Sequence, residues 1–481
     1  MPVLIASLCL LALLVCVVLV RTMRFRPAPS VTNPEPLKMP PDPEAIAGKM
    51  SAVIRIPTIS FPTRHPEREQ AMRDMHAELE RQFPLFHEKV EKTVINEFSL
   101  AYRWKGKSDT SPRLVLAHMD VVPIAPGTEE DWTHPPFSGD IADGFVWGRG
   151  TLDIKSHLVC SLEAAEWLMA EGFVPEQDIW FAFGHDEEIG GPEGAMKMEK
   201  WFAGKGIHFS WLLDEGGLVN DGAMKGLDRP LALIGIGEKG YADIRFTARD
   251  EGGHASMPPK HSALGNIATF VHRLEGTPMK TRLVPPVWAF LNMVGRYQSF
   301  GLRLILANLW LFKPLFLKVF SWGRTGNAML RTTAAPTMAK ASNAMNVLPQ
   351  SAEAIVNFRI LHGDTCDTLL AHLNKVAKGL GIEIEPDKMN DPSAISQTEG
   401  PVWTRMAEGI GRLYPEAIPV PYLMMGATDA RKYEAVSDNQ YRFTAYRINT
   451  SDLKRIHGTD ERISVDNLNR CVAFFRYMME G

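Results

Sequence analysis

Cysteine is scarce in this 481-residue chain: there are five, Cys9, Cys16, Cys160, Cys366 and Cys471, with no Cys-x-x-Cys spacing. So odd and scattered a set argues against a disulfide framework. It also means that any bound metal must be held by His, Asp and Glu. A strong charge imbalance is missing as well. The net charge is −4, and there is no basic stripe, internal repeat or low-complexity tract, so nothing points to nucleic acid. With 45% hydrophobic and 22% charged residues, the composition is that of an ordinary globular protein of two or three domains.

One long uncharged run is present. VLIASLCLLALLVCVVLV, residues 3–20, would reach about 27 Å as a helix, close to the roughly 30 Å hydrocarbon core of a bilayer. No Lys or Arg precedes it, whereas Arg21, Arg24 and Arg26 follow, which is the reverse of a cleaved signal peptide. The expectation is a single-pass transmembrane anchor over 1–22; a secreted protein whose signal is cleaved is the alternative. The charge bias places the C-terminal side in the cytoplasm, although the sequence leaves the side open. Residues 23–43 are proline-rich and read as an extended tether.

From residue 44 helical and strand patterns alternate. RLVLAHMDVV, DIWFAFG and FSWLLDEG read as strands, and SHLVCSLEAAEWLMAEG as a helix stopped at Gly172. The order predicts an α/β fold with a mostly parallel sheet and helices on both faces, in which ligands bind at the carboxyl ends of the strands. Around Gly240 the pattern changes to alternating strands (YADIRFTAR, SAEAIVNFRIL, IEIEP) and two helices, an inserted α+β unit over 239–388. The catalytic domain is then expected over 44–238 and 389–481. Inside the insertion, residues 283–322 are aromatic and apolar. They read as extra helices packed on that unit, or as a wall for an apolar substrate or a membrane surface. Arg303, Lys313, Pro314 and Lys318 argue against a second span.

Imidazole and carboxylate groups collect just after predicted strands. In LAHMDVVP, His118 and Asp120 point to one face of a strand, and a carboxylate so placed can fix the tautomer of a metal-binding imidazole. Asp153 follows a glycine-rich turn, where the plain reading is a helix N-cap. GHDEEIGG contributes Asp186, Glu187 and Glu188. Asp214 ends the strand of LLDEGG, and His457 lies in RIHGTDE before the last helix. Each alone is unremarkable. Together, two histidines and three carboxylates at the strand ends of one sheet meet the needs of two divalent ions, with one carboxylate bridging and another free to act as base. Asp186 reads as a support of its turn, and His134, His157, His185 and His261 as surface or structural histidines.

These blocks, with DWTHPPFSGDIADGFVWGRGTLDIKS and GGHASMPP, resemble those of the co-catalytic zinc aminoacylase and carboxypeptidase superfamily, in its order and over roughly 45–475. The apolar N-terminus and apolar insertion make the chain most similar to the carboxypeptidase S and N-fatty-acyl-amino-acid hydrolase branch. The resemblance implies a hydrolase holding two Zn2+ per chain, with Co2+ or Mn2+ as substitutes. It places His118 and Asp214 on one ion, Glu188 and His457 on the other, and Asp153 between them. It gives Glu187 the role of general base and Asp120 that of orienting His118. His254 would stabilise the oxyanion in a partner subunit's site, which implies a homodimer through the 239–388 lid. Asn346 and Arg359 would bind the substrate's carbonyl and carboxylate. The expected reaction is cleavage of an amide, in a peptide or an N-acyl amino acid, next to a free carboxylate. A non-catalytic membrane-tethered binding protein and a small-molecule deacylase of biosynthesis are the alternatives.

Overall fold

The computed structural model describes residues 1–27, 35–224 and 226–481. The proline-rich tether expected over 23–43 therefore lies partly outside the described residues. The chain forms two compact units: Met1–Pro27 with Gly237–Ser393 and Leu423–Gly426, and Ala28–Ile236 with Ala394–Tyr422 and Ala427–Gly481.

The larger unit is built on a ten-stranded sheet. Its centre is the strand Ser108–His118, which runs parallel to Gln177–Gly184 on one side and to Trp211–Asp214 on the other. Gln440–Arg442 continues the parallel block beyond Trp211–Asp214. The second half of the central strand is buried on both faces, which is why Leu114, Val115, Leu116 and Ala117 form an unbroken apolar run. Leu114 and Leu116 pack on one side with Met198, Phe202 and Tyr433. Val115 and Ala117 pack on the other with Leu158, Leu162 and Phe474. That two-residue alternation places helix Ala195–Gly204 on one face and helices Pro43–Ile54, Lys155–Ala170 and Val465–Glu480 on the other.

The sheet is mixed rather than mostly parallel. Ser99–Trp104 forms an antiparallel hairpin with Glu91–Ile95 and pairs antiparallel with Gln177–Gly184. Leu231–Glu238 runs antiparallel to both Gln440–Arg442 and Val219–Asp221. A tight turn reverses the first pair, with Asn96 and Glu97 at φ +49° and +72°, so no helical crossover separates these strands and their directions oppose.

The smaller unit carries a four-stranded antiparallel sheet in the order Thr333–Lys340, Ser351–Ile360, Gly240–Arg249, Ile382–Asn390. Every second residue of Ser351–Ile360 is buried. Ala354, Val356 and Phe358 meet Ile244 and Phe246 beneath helices Ala263–Gly276 and Cys366–Ala377. The same unit includes the N-terminal helix Pro2–Arg24, whose mean hydropathy reaches 3.3. Among the described residues it is the one unbroken helix long and apolar enough to cross a membrane, and a signal sequence would have the same character.

Candidate metal centre

The carboxyl ends of the parallel strands Ser108–His118, Gln177–Gly184 and Trp211–Asp214, as expected for an open α/β sheet, meet the loop that follows Phe145–Trp147 and the loop that carries His457. His118, the last residue of the central strand, turns Nε2 toward Asp153 Oδ1 at 3.2 Å. The other oxygen of Asp153, Oδ2, lies 3.0 Å from His457 Nε2. Glu188 Oε2 is 3.3 Å from the same His457 nitrogen. Asp153 is therefore not a helix cap: the following helix starts at Lys155 with no side-chain cap.

The carboxylate that completes the His118 side is Glu215, with Oε1 3.3 Å from His118 Nε2. The resemblance gives that place to Asp214, whereas in the structure it is Glu215 that lies beside the ring. Successive side chains at a strand end point in opposite directions, and Asp214 Oδ2 instead accepts the Ala430 N–H at 2.7 Å. Glu187 approaches from the neighbouring turn, and His118, Glu187 and Glu215 each offer an atom within 4.8 Å of the others.

Asp120 sits behind the imidazole. His118 Nδ1 faces its backbone carbonyl at 2.9 Å and its carboxylate at 3.4 Å. The Asp120 carboxylate also accepts the amides of Glu187 and Glu188, each at 3.1 Å, and the Ser60 hydroxyl. The turn is held at its other end by Asp186, which accepts the amides of Glu193 and Gly194 at 2.8 Å. Thus each carboxylate of the crowded DEE run faces a different partner.

Glu461, which sequence reasoning missed, fixes the bridging residue. It is fully buried. Oε1 accepts the amides of Gly150, Leu152 and Asp153 at 3.0, 2.8 and 3.2 Å, and Oε2 takes the Arg149 guanidinium at 2.6 Å. Only three residues separate it from His457, so one loop supplies a ring to the site and a brace to its carboxylate. His457 itself adopts φ +59°, a left-handed conformation that costs a non-glycine residue about 1–2 kcal/mol.

Electrostatics identify what the cluster needs. Burial opposes a charged imidazole at His118, yet hydrogen bonds to Asp120, Asp153 and Glu215 hold its pKa well above the ordinary value. Hydrogen bonds to Asp153 and Glu188 push His457 up to about 10. Burial, with the nearby Asp153 charge, pushes Glu215 up to about 8, and burial lifts Glu187 well above the carboxylate range. Glu188 Oε1 is buried without a hydrogen-bond partner. Protons are drawn onto both histidines and onto Glu187, Glu188 and Glu215, while, against burial, hydrogen bonds from the two rings hold Asp153 low. Such a site is short of positive charge, and its His nitrogen and carboxylate oxygen donors suit zinc. The donor set fits divalent cations.

Three predicted residues belong to the other unit. His254 and Asn346 line one cleft of about 560 Å³, where Gly253–His254 pairs with Val347–Leu348. Arg359 lies at the opposite end of Ser351–Ile360, with its guanidinium over the Tyr241 ring at 4.8 Å. His157 and His185 are structural: both are buried, with Nδ1 on the hydroxyls of Thr444 and Ser99 at 2.8 and 2.7 Å. His134 bonds Asp140 at 2.9 Å.

Comparison with known proteins fits this geometry. Residues 114–481 match the family described as Peptidase family M20/M25/M40. A probable carboxypeptidase S-like 2 of Dictyostelium discoideum is 36% identical, over 91% of this chain and 85% of that relative. The N-fatty-acyl-amino acid synthase/hydrolase PM20D1 of Mus musculus is 33% identical, over 89% of this chain and 86% of its own. Among solved structures, the M20 family metallo-carboxypeptidase Sso-CP2 of Sulfolobus solfataricus shares the fold. Its TM-score is 0.68 at 17% identity, over 90% of this chain and 98% of that one.

Proposed function

The chain belongs to peptidase family M20/M25/M40, a family of hydrolases, and from that footing we propose that it is a membrane-tethered, two-zinc amidase acting next to a free carboxylate. The observation that carries the reading is Asp153, whose two oxygens face ring nitrogens of two different histidines. A carboxylate shared in this way suits a pair of divalent ions. His118 and Glu215 would hold one ion, His457 and Glu188 the other, and Asp153 both.

When bound, such ions lower the pKa of water and polarise a carbonyl. The protein's own groups do the rest. Glu187 takes the proton of the attacking water and passes it to the leaving amine; its burial raises its affinity for that proton. Asp120 keeps His118 in one orientation and fixes the backbone of the turn that carries Glu187. His254, Asn346 and Arg359 keep the roles that the resemblance gives them, on the oxyanion, the substrate carbonyl and the carboxylate, with His254 acting across a homodimer. Arg suits that last task because its planar fork binds a carboxylate at two points. The N-terminal helix would be the tether. The preferred substrate is an N-acyl amino acid, ahead of a peptide, because the apolar helices of 283–322 suit an amphiphile.

The test is a side-by-side assay of purified, zinc-loaded protein on N-acyl amino acids and dipeptides, with metal analysis of the same sample. The expected outcome is about two zinc per chain and release of free amino acid from the acylated panel. Metal-free protein inert on both panels would instead support a binding protein on this fold.

A further inference from the structure

The segment between the sheet strands of the smaller unit has a chemistry unlike the rest of the chain. No Asp or Glu occurs from residue 276 to 352, while nine Lys and Arg do, in a protein whose net charge is −4. The cations are spread, so no basic run stands out. Within this stretch lie three short helices, Pro285–Gly295, Phe300–Ala307 and Leu309–Phe320, the last two bent by 113° at Asn308. The longest, at 12 residues, reaches about 18 Å and is too short to span a bilayer. Their outer faces are apolar: Trp288, Trp310, Leu315 and Val319 are exposed, Leu315 by 60%, and Trp322 just beyond the last helix by 75%. Lys313, Lys318 and Arg324 are exposed among them.

The N-terminal helix ends on this surface. Arg21 donates to the Ala307 carbonyl at 3.2 and 3.3 Å. Asn308 Nδ2 donates to the Val18 carbonyl at 3.2 Å and to the Thr22 hydroxyl at 3.1 Å. Asn308 and Thr22 are fully buried, and the Arg296 guanidinium lies 5.5 Å from the Phe25 ring centre. The body of the N-terminal helix is otherwise exposed. If that helix spans a bilayer, Arg21–Arg24 must sit at headgroup depth, and these bonds hold the 307–308 joint at the same depth.

We propose that the three helices of 283–322 form an interfacial platform that beds the smaller unit into an anionic lipid surface beside its anchor. Apolar faces edged by Trp and Lys or Arg are what such surfaces bind, and cations near an anionic leaflet are drawn to it. The inference rests on the tether reading above.

The full-length chain is reconstituted into vesicles of phosphatidylcholine and phosphatidylglycerol and labelled with an environment-sensitive fluorophore. Native Cys9 and Cys16 report on the N-terminal helix in a Cys366→Ser background. Leu315→Cys reports on the platform, and Met257→Cys, on an exposed loop residue, on water, both with Cys9→Ser and Cys16→Ser added. Nitroxide on the lipid acyl chains is expected to quench Leu315→Cys several-fold more than Met257→Cys. Lys313→Glu with Lys318→Glu and Arg324→Glu should cut that quenching at least by half and leave Cys9 unchanged. Quenching at Cys9 and Cys16 with Leu315→Cys no different from Met257→Cys overturns the platform and leaves the anchor standing. Loss at all these sites overturns both. Leu315→Cys shielded from lipid and crosslinked to a second copy assigns the face to self-association and overturns the proposal.

Discussion

The Asp120 carboxylate accepts the backbone N–H of Glu187 at 3.1 Å, so the residue that steadies His118 also sets the position of the proposed base. The same carboxylate takes the Glu188 amide. Asp120→Asn keeps the size of the side chain but presents an NH2 to donors and removes the charge that favours His118. Loss of such a supporting carboxylate costs about 10–100-fold in metal affinity or activity. The expected result is a fall of that order in both zinc retained after dialysis and kcat/KM. Full zinc content with unchanged turnover would show that neither contact matters.

Glu187→Gln separates proton transfer from metal holding. The amide has almost the same shape and cannot accept the water proton, while His118, Asp153, Glu188, Glu215 and His457 remain in place. Turnover is expected to drop by about 10²–10⁴, with zinc content unchanged. Wild-type activity in this variant would remove Glu187 from the chemistry.

Glu215 and Asp214 give opposite expectations from adjacent positions. Glu215→Gln should weaken zinc binding at the His118 side, because its oxygen is 3.3 Å from that ring. Asp214→Asn should act chiefly on folding, because its carboxylate is engaged by the Ala430 amide and leaving a buried partner unsatisfied costs about 1–3 kcal/mol. Metal titration and thermal unfolding of the two variants distinguish the cases. Zinc loss in Asp214→Asn alone would restore the ligand role to Asp214.

His118, Asp153, Glu188 and His457 were legible because each stands beside an apolar run or a glycine turn, and strand ends are where such sheets bind ligands. The choice between Asp214 and Glu215 was not. It depends on how the strand end is held against Gln440–Arg442 and the Ala430 amide, more than 200 residues away in sequence. Glu461 was hidden because TDE reads as a solvated turn; its role appears only when the 149–153 loop folds over it. The mixed sheet escaped for a similar reason. An apolar run such as LALIGIGE carries no mark of direction, and only pairing with Gln440–Arg442 makes it antiparallel. Edge strand Thr333–Lys340 is almost wholly exposed and lacks the alternation that exposes a strand to view.

Acid should unfold the protein through histidines that do no chemistry. Burial pushes His157 down to about 3 and His185 down to about 4, against about 6.5 in an unfolded chain. Below about 6.5 the unfolded chain therefore binds protons that the folded chain refuses, so stability is full above that pH and falls as pH drops toward the folded values. Each such histidine contributes a slope of about 1.4 kcal/mol per pH unit in that window. Asp186, which burial raises to about 6, has the opposite sign, but it is common to both proteins compared. The comparison is between the wild type and His157→Phe, which removes the titration and keeps a ring against Phe475. Denaturant unfolding from pH 7 to 4.5 should give a variant whose stability declines less steeply, by about 1.4 kcal/mol per pH unit. The difference in slope is the readout, so any constant loss from the unpaired Thr444 hydroxyl cancels. Parallel pH profiles would mean that His157 charges inside the fold, and that its burial is not what the acid limit reports.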